Sequence, residues 1–234
     1  MPRRTEVRPL IMLRDAPRRR LIVLTAAVAC FAVLAAATWD HRARQTGMDA
    51  GLAPIAQSER LVREHAPVIG PPDAAITIVE FFDPSCEACR RFHPILKNVL
   101  AESNDVRLVV RYFVGHGSAS KAGVRVLEAA RRQGLFADVS AALLERQTSW
   151  TGATVENERR ALAIAETVGL DVNEALQGMD ELDIAKILET DRGDATAIGV
   201  RGTPTIFVNG KLLPSLEAST LEALIANERH APEK

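Results

Sequence analysis

Two cysteines, Cys86 and Cys89, enclose Glu87 and Ala88 where an apolar run gives way to a helical pattern. The run before them, Ile76-Thr77-Ile78-Val79-Glu80-Phe81-Phe82, is nearly continuous in apolar residues, as suits a central strand covered on both faces. From Cys89 to Ala101, Phe92, Leu96, Val99 and Leu100 recur at helical spacing. A thiol pair at a strand-to-helix junction can close a small disulfide ring and reopen it. In a loop without that context the same pair would read as half of a zinc site. The context therefore points to thiol–disulfide exchange.

The rest of the pattern supplies a frame for that junction. Pro94 falls inside the helical stretch and is expected to bend it near its first turns. Val106–Val114 reads as a second strand, reached by a right-handed crossover and so parallel to the first. Residues 118–196 are almost wholly helical in pattern, with Asp171-Val172-Asn173-Glu174 in the form of a capping box. Strand character returns from Val200 to Val208. Asn209-Gly210 is a hairpin signal, and Lys211–Leu213 forms the returning strand. Ser219-Thr220-Leu221-Glu222 has the form of a second capping box, at the last helix. The order is βαβ, a helical block, then ββα: a mixed sheet flanked by helices, with a helical insertion.

Ahead of this domain the chain changes character. Residues 1–20 hold seven arginines against Glu6 and Asp15, and residues 21–39 hold no charge at all. About 20 apolar residues span a bilayer core. The arginines on the N-terminal side then predict a cytoplasmic N-terminus, with everything after residue 39 outside. A cleaved signal peptide, with Ala35-Ala36-Ala37 as the cleavage region, is the alternative, and Cys30 leaves lipidation open. The reading is a basic tail over 1–20, an anchor or signal segment over 21–39, and a linker over 40–66 with a short helix near Ser58–His65. The domain follows over 67–228, with its insertion at about 118–196, and a tail over 229–234. Past residue 39 the only cysteines are Cys86 and Cys89, so no structural disulfide framework is expected. A nucleic-acid partner is not expected either, because the balance there is acidic and no basic stripe occurs.

Phe81-Phe82-Asp83-Pro84-Ser85-Cys86-Glu87-Ala88-Cys89 and Gly202-Thr203-Pro204-Thr205-Ile206-Phe207-Val208-Asn209-Gly210, in this order and at this separation, resemble the DsbA-like disulfide oxidoreductases of the thioredoxin-fold superfamily. The resemblance covers about residues 67–228. It implies a thioredoxin-like fold of the bacterial envelope; together with the segment 21–39, that predicts a single-pass inner-membrane protein with a periplasmic catalytic domain (or a secreted one after cleavage). Its implied partners are cysteine-containing exported proteins and a membrane redox partner. It also implies a cis bond before Pro204 and a substrate-pairing backbone at Thr203. An acid at Glu80, beneath the dithiol, would accept the proton of the second cysteine; the alternative is a side chain pointing to solvent.

Within this reading Cys86 is the nucleophile, because the helix N-terminus favours a thiolate. Cys89, one turn on, resolves the mixed disulfide. No cofactor is expected beyond the Cys86–Cys89 disulfide itself. Glu87 and Ala88 are the tuning positions. Glu87 places negative charge beside Cys86 and works against the thiolate, which predicts a couple less oxidising than the roughly −120 mV of DsbA. A second reading is a copper- or zinc-binding module using Cys86, Cys89 and His93, which could share a helix face. His116, between Gly115 and Gly117, has no assigned place.

Overall fold

The computed structural model describes residues 59–152, 156–180 and 182–231. The basic tail, the apolar segment 21–39, Cys30 and the linker up to residue 58 lie outside the described residues. Among the described residues no helix is long and apolar enough to cross a membrane.

The elements run β1 (Val68–Ile69), β2 (Ile76–Phe82), α1 (Glu87–Glu102), β3 (Val106–Tyr112), six insertion helices, β4 (Thr205–Val208), β5 (Lys211–Leu212) and α8 (Ala218–Arg229). The insertion comprises α2 (Gly117–Arg132), α3 (Phe136–Glu145), α4 (Gln147–Thr151), α5 (Asn157–Glu166), α6 (Val172–Met179) and α7 (Ile184–Ala197). The sheet order is β1-β3-β2-β4-β5, with β2 and β3 parallel and the other pairs antiparallel. The sheet is thus mixed, and the run that precedes the dithiol is its central strand.

Side chains alternate across a strand, and β2 shows it. Ile76, Ile78 and Phe82 pack into the large core with Phe92, Leu96, the insertion helices and Leu221 and Ile225 of α8. Val79 and Phe81 face the other way, into a smaller core with Val109, Phe207, Ala195 and Leu61. The hairpin forms as its residues dictate: Asn209 has φ 46° and Gly210 φ 82°, the left-handed pair a tight turn requires. Asp171 caps α6 by accepting the Glu174 N–H at 2.9 Å. Pro94 lies inside α1 without ending it.

Three local expectations are corrected. Residues 59–65 form turns and no helix. Their carbonyls are taken up elsewhere: those of Arg60 and Leu61 accept from the Arg111 guanidinium, so they do not close helical turns. Residues 61–66, read as the end of a linker, pack on the domain, with Leu61 and Ala66 buried, and Val68–Ile69 then adds an edge strand to β3. The last helix opens at Ala218 with Glu217 as its N-cap, so Ser219 stands inside the helix and caps nothing.

Candidate functional site

The dithiol sits at the junction of β2 and α1. Cys86 is the N-cap residue of α1, in extended conformation at φ −78° and ψ 123°. The Asp83 carbonyl accepts the Cys86 N–H at 3.0 Å, which turns the chain from strand to helix. Both cysteines are free thiols, Cys86 nearly buried and Cys89 fully so.

Their environments separate the two sulfurs. Cys86 is held down at about 5. The largest cause is the hydrogen bond from Cys89; burial opposes it, and a Thr203 side-chain hydrogen bond adds to it. The N–H groups of Cys89 and Ala88 contribute as well. They make no capping hydrogen bond of regular geometry, yet they point their positive ends at the sulfur, which is the field a helix N-terminus supplies. Cys89 is pushed far up, first by burial and then by the bond it donates to Cys86 and the charge of Glu80. One thiol therefore ionises readily at neutral pH while its neighbour keeps its proton.

The loop before β4 faces this pair. Cys86 Sγ in its thiol form donates to the Thr203 carbonyl at 3.3 Å, across 117 residues of sequence. The Thr203–Pro204 peptide bond is cis. Pro204 is buried and Thr203 half-buried.

Glu80 lies on the face of β2 that carries Ile78 and Phe82, and only 4% of it is exposed. Its carboxyl is raised to about 8, by desolvation first and by the charge of Cys86 second. The solvent-facing alternative for Glu80 is thereby overturned.

Glu87 departs from the expectation in its surroundings. Its carboxylate is exposed and lies 2.6 Å from Arg91 and 3.6 Å from Arg90. The charge placed beside Cys86 in sequence is turned outward and shared with two cations, and Cys86 remains acidic despite it. Ala88 packs against the large core.

His93 does not join the cysteines as a ligand. Its Nε2 is buried without a hydrogen-bond partner, and burial, then the charge of Lys97, lowers its pKa. Among the described residues no three or more His, Cys, Asp or Glu side chains converge to hold a metal ion. The copper or zinc reading is corrected on that ground.

Three supporting residues were not read from the sequence as parts of the site. Gln147 of α4 is buried and donates through Nε2 to the carbonyls of Pro84 and Cys86, at 2.9 and 3.0 Å. It ties the insertion to the loop that carries the nucleophile candidate. Gly123 of α2 lets that loop approach: a Cβ there would lie 2.7 Å from Pro84 Cγ and 2.8 Å from Trp150. Asp83, fully buried, accepts the Ser85 N–H at 2.8 Å. The Asp-Pro-Ser run is itself a turn signal; nothing local marks Gln147 or Gly123.

A thioredoxin family model matches residues 63–227. A thioredoxin-like oxidoreductase from Silicibacter pomeroyi DSS-3 superposes with a TM-score of 0.65 at 31% identity, covering 76% of this chain and 100% of that one. Disulfide bond formation protein D of Bacillus subtilis is 25% identical over 153 residues, 63% of this chain and 69% of its own length. The Na(+)/H(+) antiporter NhaA of Herminiimonas arsenicoxydans is 32% identical over 162 residues, 68% of this chain but 25% of the antiporter. The chain thus spans about a quarter of the length of the antiporter relatives it matches.

Proposed function

From the premise that this chain belongs to the thioredoxin family, among its DsbA-like disulfide oxidoreductases, we propose that it is a thiol–disulfide oxidoreductase exchanging disulfides with cysteines of exported proteins. The observation that carries the reading is the division of labour between the two sulfurs. Cys86 is acidic and faces the Thr203–Pro204 loop, while Cys89 is buried and protonated. Export is supported by the uncharged stretch 21–39 behind its arginines. A membrane redox partner would return the dithiol to its starting state.

In the reducing direction the Cys86 thiolate attacks a substrate disulfide. A Cys86–substrate S–S bond forms, and the second substrate sulfur leaves as a thiolate. Cys89 then gives up its proton and attacks Cys86 sulfur. The Cys86–Cys89 bond forms, and the first substrate sulfur is released. Two electrons have passed from the protein dithiol to the substrate; the oxidising direction runs the same steps backward. The backbone of Thr203 pairs with an extended substrate segment, in the manner of strand addition.

Glu80 is the proton acceptor for Cys89. Once Cys86 is tied up in the mixed disulfide its charge is gone. One of the two causes that hold Glu80 protonated then disappears, and the carboxylate is freed to take the Cys89 proton. Glu80→Gln should therefore slow decay of the mixed disulfide by roughly 10²-fold while leaving the first attack close to wild type, as stopped-flow measurement would resolve. Unchanged decay would remove Glu80 from the mechanism. The same substitution has a stability signature. The folded carboxyl sits above its ordinary 4.5, so its stabilising effect is complete below that value and is lost as pH rises through about 8. The variant should gain stability over wild type across that window.

The deciding experiment for the function is equilibration of the full chain with glutathione buffers, with trapped thiols counted at each ratio. A reversible two-electron transition of Cys86 and Cys89 supports the proposal, and its midpoint orders oxidase, isomerase and reductase behaviour. A dithiol that stays inert across all ratios overturns it.

A further inference from the structure

The loop carrying Cys86 also carries a carboxylate that ought to oppose it. Asp83 has no solvent exposure and stands three residues before Cys86. A buried carboxylate beside a forming thiolate raises the thiol's pKa, and burial of a charge is tolerated only where a partner balances it. Asp83 Oδ1 accepts the Ser85 N–H at 2.8 Å. Oδ2 accepts the Gly115 N–H at 2.8 Å and the Ser120 hydroxyl at 2.9 Å. The same oxygen lies 2.8 Å from His116 Nδ1, and the Ser120 oxygen accepts the His116 backbone N–H at 3.0 Å. The residue is thus held through its ring by Asp83 and through its backbone by Ser120, yet its side chain is 54% exposed and can take up a proton from water.

We propose that His116 sets the charge balance of the dithiol from outside the Cys-Glu-Ala-Cys ring: as an imidazolium on Asp83 it neutralises that buried carboxylate and favours the Cys86 thiolate over the thiol. It is a positioning residue for charge, acting through Asp83 and across space. The inference rests on the exchange reading above and adds a tuning residue to it. The hydrogen bond to Asp83 raises the His116 pKa; partial burial opposes this, and the charges of Asp83 and Cys86 add to it. Those two groups, both of the β2–α1 loop, are the charges that bear on the ring. From the insertion, Arg192 of α7 reaches the same segment at the Val114 carbonyl, 3.1 Å away. In the dipeptide 87–88 Glu87 is paired outward and Ala88 carries no charge, so the cation comes from the segment after β3.

The test uses the full chain with His116→Asn, which keeps an N–H donor for Asp83 without the charge, and His116→Lys, which keeps a cation. Thiolate absorbance against pH and the equilibrium constant with glutathione are read for both. His116→Asn should raise the Cys86 midpoint by about one pH unit and make the couple about tenfold less oxidising, near 30 mV for two electrons. His116→Lys should stay within about twofold of wild type, since the charge is retained. The gap in oxidising strength between wild type and His116→Asn should close as pH rises through the His116 titration, because the imidazolium is then lost while the proton kept on Cys89 gives both couples the same underlying pH slope. The inference is overturned if His116→Asn matches wild type in both readouts, or if both variants shift equally with folding intact. A wild-type dithiol that does not exchange with glutathione would instead take down the exchange reading, and this inference with it.

Discussion

Replacement of Cys86 by serine should abolish disulfide exchange, and replacement of Cys89 by serine should leave the protein stuck to its substrate. The two expectations differ because the two sulfurs differ. Only Cys86 is both acidic and placed against the loop where a substrate would lie. Its removal takes away the atom that forms the mixed disulfide, so insulin reduction should fall to the uncatalysed rate. Without Cys89 the attack still occurs, but nothing breaks the Cys86–substrate bond. A covalent adduct should accumulate on non-reducing gels and dissolve on addition of dithiothreitol. Insulin reduction by the Cys86→Ser variant at the wild-type rate would place the chemistry elsewhere.

The second large effect lies on the opposite face of the sheet, and it is on stability. Arg111 of β3 is fully buried. Its Nε donates to Asp191 at 2.8 Å, one terminal nitrogen to Asp194 at 2.8 Å, and the other to the carbonyls of Arg60 and Leu61. Asp191 also accepts the Tyr112 N–H at 2.6 Å and lies 2.7 Å from His65 Nε2. Asp194 accepts two bonds from Arg63, each at 2.8 Å. Arg111→Ala leaves two nearly unexposed carboxylates short of their cation and frees the turn at 59–66. Breaking such a pair from one side costs about 3–5 kcal/mol. For a domain of this size that is on the order of 10 °C in Tm.

Acid should reveal the same cluster. Burial would raise the Asp194 carboxyl, but the Arg63 and Arg111 hydrogen bonds outweigh it and hold the group at about 2, below its ordinary 3.8. A depressed carboxylate stabilises the fold at all pH values above its ordinary one. That contribution is lost as pH falls from about 4 towards about 2. Urea unfolding of wild type should weaken across this window, and Arg111→Ala should show a shallower acid loss from a lower starting point. An Arg111→Ala midpoint equal to that of wild type would mean that the cluster contributes nothing net.

How much of this could be read in advance depended on the range of the interaction. The strands β2 and β4, the hairpin at Asn209-Gly210, the cap at Asp171 and the helices of the insertion are written in neighbouring residues, through period and turn chemistry. β1 was hidden because Pro67, Gly70, Pro71 and Pro72 surround its two residues, and it becomes a strand by pairing with the exposed edge of β3. The turn at 59–65 was hidden for a similar reason. Its conformation answers to Arg111, about 50 residues away along the chain. The first turn of α8 misled because a Ser-x-x-Glu spacing arises inside a helix as readily as at its start.

At the site, the identity of the dithiol and of the facing loop could be read from two short motifs. The burial of Glu80 followed from the apolar run around it, and its raised pKa from that burial. For Glu87 the partners in space were not legible beside the dithiol, because they lie one turn further along the helix. At the start of a helix its side chain meets Arg91 one turn on. Gln147 and Gly123 carry no motif, and their contacts with Pro84 exist only after the insertion has folded back onto the loop.

The amino-acid sequence alone determined the local architecture: a buried strand delivering two thiols to a helix N-terminus, a tight hairpin, capped and amphipathic helices. These follow from interactions within a few residues, which periodicity and turn chemistry record. The tertiary structure alone decided that Thr203 meets Cys86 across 117 positions, that His116 rests on Asp83 across 33, and that Arg111 joins two aspartates. Such pairings are matters of distance and desolvation, and neither exists until the chain has closed on itself.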